Sequence, residues 1–273
     1  IVFGDWSSDV CSSDLLAGFG TVGSGLAQIL HENREGILAR TGRDIAITTV
    51  LVRDLAKKRA VETGPEVRFT ADASDLLGPE VDVVVELMGG VEAARGLITR
   101  ALEAGKHVVT ANKHLLALHG PKLSALAAAK GLGLFYEASV AGGIPIVQTL
   151  REGLGANRIE RLTGILNGTA NYILSEMTTS HLDFATALKQ AQDLGYAEAD
   201  PTLDIEGFDT AHKLVVLIRL AYGRDFPLAK LPVRGITQVT GQDIDFAREF
   251  GYRIKLLAQA REVDGKIEAK VEP

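Results

Sequence analysis

Leu15-Leu16-Ala17-Gly18-Phe19-Gly20-Thr21-Val22-Gly23 places three glycines in the order G-x-G-x-x-G. They follow an apolar strand end and precede a run that reads as a helix, Ser24 to about Ala39. Gly18 permits a tight turn, and Gly20 lets the backbone approach a pyrophosphate. Gly23 lets the helix pack close to the strand, while the helix N-terminus presents its unpaired N–H groups to the phosphates. Phe19, Thr21 and Val22 complete this candidate cofactor-binding turn.

The next strand strengthens the pattern. Ile45 to Val52 is β-rich and ends at Arg53-Asp54. The gap from Gly23 exceeds the ~20 residues usual for a dinucleotide fingerprint, and the polar stretch His31 to Asp44 reads as the insert responsible. At that strand end Asp54 can accept from a ribose 2′-hydroxyl, whereas Arg53 can pair with a 2′-phosphate. Arg53 stands first and favours NADP, with NAD kept open; a solvated Arg–Asp pair is the bland alternative.

Strand–helix alternation continues. Val81 to Leu87 reads as a buried strand ending at Gly89-Gly90, Glu92 to Ala104 as a helix, and Lys106 to Thr110 as a strand ending in Ala111-Asn112-Lys113. Pro121 to Lys130 reads as a helix with proline in its first turn, and Leu132 to Tyr136 as another strand. Such units with short loops predict an α/β fold with a doubly wound parallel sheet of Rossmann type. Ligands of these sheets sit at the carboxyl ends of the strands, which assigns Gly89, Gly90, Asn112 and Lys113 to the cofactor crevice.

Composition narrows the class. The chain has 273 residues, 46% hydrophobic and 23% charged, with a net charge of −6. No stretch approaches the roughly 18 apolar residues of a membrane span. The acidic balance argues against nucleic-acid or membrane-surface partners. One cysteine, Cys11, excludes a disulfide framework and a multi-thiolate zinc site. These features predict a cytoplasmic α/β enzyme. Residues 1–15 stand apart: they are rich in Ser and Asp, hold Cys11 and the lone Trp6, and occupy the place of an apolar first strand. Asp5 to Asp14 back-translates to a sequence resembling the end of a common sequencing adapter. Residues 1–15 are therefore read as a non-native segment.

From Glu137 the pattern changes. Glu137 to Pro145 is a small-residue connection whose carbonyls suit either a hinge, the reading its spacing favours, or a hard cation. A helix from Ile146 to Gly153 and a strand from Arg158 to Leu166 come next, then Asn167-Gly168-Thr169, read as a turn and helix cap. Phe184 to Leu194 is an amphipathic helix. Between Gly195 and Lys213 five carboxylates precede one lysine. Asp209 and Lys213 share a helix face, and Lys213 opens directly into Leu-Val-Val-Leu-Ile. An exposed ion pair worth ~0.3–0.5 kcal/mol is the bland reading. A partly buried lysine held charged beside a carboxylate suits a general acid facing a carbonyl oxygen. Glu198 and Asp204 are placed to receive a substrate ammonium.

The sequence from Leu15 onward resembles homoserine dehydrogenase. The likeness rests on the glycine turn, Val108-Val-Thr-Ala-Asn-Lys113, Glu137-Ala-Ser-Val140, Gly164-Ile-Leu-Asn-Gly-Thr169-Ala-Asn-Tyr-Ile-Leu174, and the Ala191-to-Lys213 signature. It implies reversible NAD(P)-dependent interconversion of L-homoserine and L-aspartate 4-semialdehyde, in the branch leading to threonine, methionine and isoleucine. Lys213 then resembles the acid/base lysine and Asp209 its partner. Glu198 and Asp204 match positions around the substrate's amino group and hydroxyl, Thr169 joins the substrate-binding set, and Lys113 matches a lysine between cofactor and substrate. Main-chain oxygens of Glu137, Val140, Gly142 and Ile144 match those that hold a monovalent cation, typically sodium. The resemblance further implies a nucleotide domain over 16–136 and an α+β substrate and dimerisation domain over 137–273, in a homodimer or homotetramer. Family members continue beyond the position of Pro273, so the second domain is read as truncated. Another Rossmann reductase of a semialdehyde, and a non-catalytic nucleotide-binding scaffold, are the competing readings. Arg53→Ala is expected to weaken NADP binding more than NAD binding in a fluorescence titration; equal weakening would remove Arg53 from 2′-phosphate recognition.

Overall fold

The computed structural model describes residues 11–59 and 67–273. The part of the proposed foreign segment before Cys11, with Trp6, lies outside the described residues. Two units make up the chain: residues up to Leu115 with His119–Gly142, and Leu116–Leu118 with Gly143–Pro273.

The first unit runs β1 (Cys11–Ala17), α1 (Thr21–Glu32), α2 (Arg34–Thr41), β2 (Asp44–Leu51), β3 (Arg68–Thr70), β4 (Val83–Glu86), α3 (Glu92–Glu103), β5 (His107–Thr110), α4 (Lys113–Ala129) and β6 (Leu134–Phe135). Among the described residues the strands form a six-stranded sheet, β3-β2-β1-β4-β5-β6, with every pair parallel. The expected doubly wound sheet is present. Its strand order reverses beside β1, between β2 and β4, so the glycine turn lies at the switch point where such sheets bind ligands. Leu16, Val50 and Val85 form the buried centre of the sheet. α3 buries Ala94, Leu97, Ile98, Ala101 and Leu102, the spacing of one helix face.

Several expected boundaries move, each for a local reason. Helix 24–39 is instead two helices. The break is at Asn33, with φ −107° and ψ 13°, whose side-chain amide donates to the Ile29 carbonyl at 3.1 Å and so competes with the helical ladder. The helix expected from Pro121 begins eight residues earlier, at Lys113, because Asn112 caps it by accepting from the Leu115 N–H at 3.0 Å. Pro121 lies inside that helix. Cys11–Leu15, read as foreign, pairs as strand with β2, through backbone bonds that are indifferent to side-chain identity. The register slips between Asp14 and Leu15, and pairing with β4 covers only Asp14–Ala17.

In the second unit α5 (Ile146–Gln148) passes into a π-helical turn, Thr149–Gly153. Then come β7 (Arg161–Gly164), α6 (Gly168–Thr179), α7 (Phe184–Asp193), α8 (Thr202–Ile205), α9 (Phe208–Tyr222), α10 (Gly241–Glu249), β8 (Leu257–Val263) and β9 (Lys266–Glu272). β7-β8-β9 is antiparallel. The β8–β9 turn, Asp264-Gly265, has φ of 48° and 73°, both positive as a two-residue hairpin of type I′ requires. α9 buries five consecutive residues, Leu214 to Ile218, so it is enclosed on all sides rather than along one stripe. Ile173 and Leu174 of α6 and Ala258 and Ala260 of β8 belong to the same core. Among the described residues no helix is long and apolar enough to cross a membrane.

His107 links strand pairing to pH. Its Nδ1 accepts from the Gly133 N–H at 2.9 Å, just before β6. Burial lowers the pKa of His107 from the ordinary 6.5, with Asp82 partly opposing. A histidine with a depressed folded pKa contributes stability above its unfolded value. That contribution is lost as pH falls from there through the folded value. The thermal midpoint is therefore expected to drop as pH falls below about 6.5. His107→Asn, which keeps an acceptor that does not titrate, should flatten part of that drop; equal slopes would contradict it.

Candidate active site

Two clusters of candidate residues lie one in each unit. In the first unit a crevice of about 900 Å³ opens at the carboxyl ends of the strands, walled by Gly18, Phe19, Gly20, Arg53, Asp54 and Gly89, among others. Gly18 has φ +100°, and a Cβ there would stand 2.6 Å from the Leu87 carbonyl oxygen. A Cβ on Gly23 would collide with the Gly18 carbonyl oxygen. Gly20 is the N-cap of α1 and contributes no capping side chain. The first N–H groups of α1 are thus left for an anion. Thr21, Val22 and Gly23 form the first turn of that helix.

The basic character of the crevice is larger than Arg53 alone suggests. Lys57, Lys58 and Arg59 also line it. Asp54, the alternative ribose acceptor, takes the Ala56 N–H at 2.8 Å. Arg59 donates to the Asp54 carbonyl at 2.6 Å and stacks over Phe69, 4.7 Å from the ring centroid. The strand-end rule points to Arg53 and misses the other three. Their signal in the sequence is four cations within Arg53-Asp-Leu-Ala-Lys-Lys-Arg59.

Asn112 and Lys113 lie at the carboxyl end of β5, and are not among the residues that wall this crevice. Asn112 Nδ2 donates to the Gly90 carbonyl at 2.6 Å, joining that loop to the one after β4. Beneath them Glu86 is fully buried. It accepts from the Met88 N–H at 2.9 Å and from the Thr110 hydroxyl at 2.6 Å. Thr110 in turn accepts from the Asn112 N–H at 3.0 Å.

In the second unit a cavity of about 480 Å³ is lined by Asn167, Thr169, Tyr196, Asp204, Asp209 and Lys213, with Gly168 and Tyr172. Lys213 Nζ donates to Asp209 Oδ2 at 2.7 Å and to the Leu166 carbonyl at 2.6 Å. The two side chains are only 18% and 10% exposed. The pair is therefore not the solvated one of the bland reading, because α9 carries it into the core. Asp209 lies in the first turn of α9, where the helix dipole favours a negative charge. Asn167 Nδ2 donates to Asp204 at 2.6 Å and to Asp209 at 2.9 Å. The Thr169 hydroxyl donates to the Tyr196 carbonyl at 2.6 Å. Glu198 is exposed and does not line this cavity; its carbonyl accepts from Gln192 Nε2 at 3.2 Å.

The candidate cation segment begins as a 3₁₀ turn, Glu137–Ser139. Ala141 at φ +50° and Gly143 at φ +86° then bend the backbone between Val140 and Ile144. The Ile144 carbonyl accepts from the Ile146 N–H at 2.8 Å. Among the described residues no three His, Cys, Asp or Glu side chains gather as metal ligands. A cation in this segment would depend on main-chain oxygens, which suit a hard ion.

A glycine turn at the switch point of a parallel sheet, with an α+β unit holding an acid–lysine pair, defines a dinucleotide-binding α/β protein with an appended second domain. The family model described as the NAD-binding domain of homoserine dehydrogenase matches residues 18–137, and that described as homoserine dehydrogenase matches residues 145–273. The chain belongs to the homoserine dehydrogenase family. It is 46% identical to the Bacillus subtilis homoserine dehydrogenase over 259 residues, covering 94% of this chain and 60% of that protein. A solved homoserine dehydrogenase from Thiobacillus denitrificans superposes with a TM-score of 0.91 at 50% identity, over 96% of this chain and 60% of that one. A hyperthermophilic archaeal homoserine dehydrogenase solved with NADPH gives 0.78 at 25% identity, over 96% and 82%. The chain thus spans about 60% of the length of the Bacillus and Thiobacillus relatives.

Because the Gly18 carbonyl blocks any side chain at position 23, Gly23→Ala should raise the Kd for coenzyme by about tenfold or more. Fluorescence titration checks this, and wild-type affinity would contradict the cradle.

Proposed function

We propose that this chain carries the coenzyme-binding and proton-transfer machinery of an NAD(P)-dependent homoserine dehydrogenase, interconverting L-homoserine and L-aspartate 4-semialdehyde. That reaction belongs to the biosynthesis of threonine, methionine and isoleucine. The observation that carries the reading is the buried Asp209–Lys213 pair opening on a cavity it shares with Asp204.

An ammonium has three N–H bonds. Lys213 directs one to Asp209 and one to the Leu166 carbonyl, which leaves the third for a substrate oxygen. In the reductive direction Lys213 gives its proton to the carbonyl oxygen of the semialdehyde; in the oxidative direction it takes the proton of the homoserine hydroxyl. Asp209 fixes the lysine's position through the 2.7 Å bond. Asp204, on the cavity wall, offers a carboxylate to the substrate's ammonium or hydroxyl. Thr169, on the same wall, and Glu198, exposed outside the cavity, are assigned to substrate binding with it. The coenzyme, when bound, supplies or accepts the hydride at the carbon that bears that oxygen.

The crevice of the first unit fits a dinucleotide: a Cβ at Gly18 or Gly23 would fill its cradle, and the first turn of α1 is left without a side-chain cap. Arg53, Lys57, Lys58 and Arg59 complement a 2′-phosphate, which favours NADP over NAD. Lys113 and Asn112 are assigned to the coenzyme end as well. Main-chain oxygens of Glu137, Val140, Gly142 and Ile144 would hold a sodium ion, whose part is to pin that segment. The protein is assigned to the cytoplasm as a homodimer or homotetramer.

Homoserine with NADP should give an absorbance rise near ~340 nm as the coenzyme is reduced. Lys213→Ala should lower kcat by about 10²–10⁴-fold with coenzyme affinity unchanged. Full turnover in that variant would overturn the acid/base role.

A further inference from the structure

Asn167 opens α6 as its N-cap, accepting from the Ala170 N–H through Oδ1 at 2.8 Å. That bond fixes the amide's orientation: the oxygen must face the helix, so the nitrogen must face the cavity. Both Nδ2 hydrogens then meet carboxylates, Asp204 at 2.6 Å and Asp209 at 2.9 Å. Asn167 is itself only 4% exposed. Its own carbonyl is held by Asn171 Nδ2 at 3.0 Å, and Asn171 is anchored to Leu256 through that residue's N–H at 2.9 Å.

Capping alone does not call for asparagine. Serine, threonine and aspartate cap a helix as well or nearly as well, but none offers two donors on the side away from the helix. Two acids sharing one nitrogen repel one another, and such repulsion pushes one carboxylate toward its neutral form. A neutral Asp209 would no longer hold Lys213 by charge.

We propose that Asn167 is a positioning residue for the proposed reaction: its amide clamps Asp204 and Asp209 at fixed separation and keeps both ionised, so that Asp209 holds Lys213. The inference rests on the dehydrogenase reading for its catalytic meaning, whereas the clamp itself is measurable without turnover.

Asn167→Ser keeps a cap oxygen and replaces the two amide donors by a single hydroxyl, which cannot hold both carboxylates; Asn167→Thr is a second variant of the same kind. In protein labelled with ¹³C at the aspartate carboxyls, the titration midpoints of Asp204 and Asp209 should move up by about one pH unit in either variant. The acid limb of the kcat profile should move with them, with kcat about tenfold lower and the KM for coenzyme unchanged. Adding Asp204→Asn to Asn167→Ser removes the like charge and should bring the Asp209 midpoint back down. A cap with no further role predicts a lower melting temperature at most, with midpoints unmoved, and that result overturns the clamp. Absence of any absorbance rise near ~340 nm with homoserine and NADP strikes the dehydrogenase reading instead and leaves the midpoints to decide on Asn167.

Discussion

Burying a lysine and an aspartate costs several kcal/mol of desolvation for each ion, which is recovered only if the pair is close and its remaining hydrogen-bonding capacity is met. Asp209 and Lys213 meet that condition at 2.7 Å, with the Leu166 carbonyl and the Asn167 amide as further partners. Much of the second unit's layout serves this arrangement. β7 delivers the chain to Leu166, Asn167 opens α6, and α9 carries both charges one turn apart into a core of Leu214, Val215 and Ile218. Aligning the pair at the start of a helix adds the favourable end of its dipole to Asp209. The apolar body of α9, Leu214 to Ile218, is buried directly after it.

The first unit solves a different problem, that of bringing backbone close to a large anionic ligand. Its answer is the absence of side chains at Gly18 and Gly23, combined with a helix start that lacks a cap. Glu86 organises the neighbouring loops. As a fully buried carboxylate it accepts from the backbone after β4 and from Thr110 after β5, and Asn112 closes the network onto Gly90. The Thr110–Glu86 and Asn112–Gly90 bonds join residues more than twenty positions apart, and so tie the end of β4 to the end of β5.

The parallel sheet is legible in the sequence because its signals are periodic and short-range: apolar runs such as Val83-Val-Val-Glu86, the glycine pair Gly89-Gly90 after β4, and the turn at Gly18. Lys213 and Asp209 are legible as a pair four apart ahead of an apolar helix. Features that depend on distant partners or on competing caps are not. Asn167 reads as an ordinary cap in Asn-Gly-Thr, and only folding brings Asp204 and Asp209, 37 and 42 residues on, to its other side. Asn112 as a cap sets the start of α4 against the expectation drawn from Pro121. Lys57 to Arg59 lie past the strand end where ribose contacts are expected, and reach the crevice because the chain folds back along it.

A double-mutant cycle on Asp209 and Lys213 tests the coupling most directly. The quantity is kcat/KM for homoserine in Asp209→Asn, Lys213→Ala and the two combined. If Asp209 acts by holding Lys213, the double variant is no worse than Lys213→Ala alone. Losses that multiply, each variant lowering the rate independently of the other, would contradict the buried pair as one functional unit.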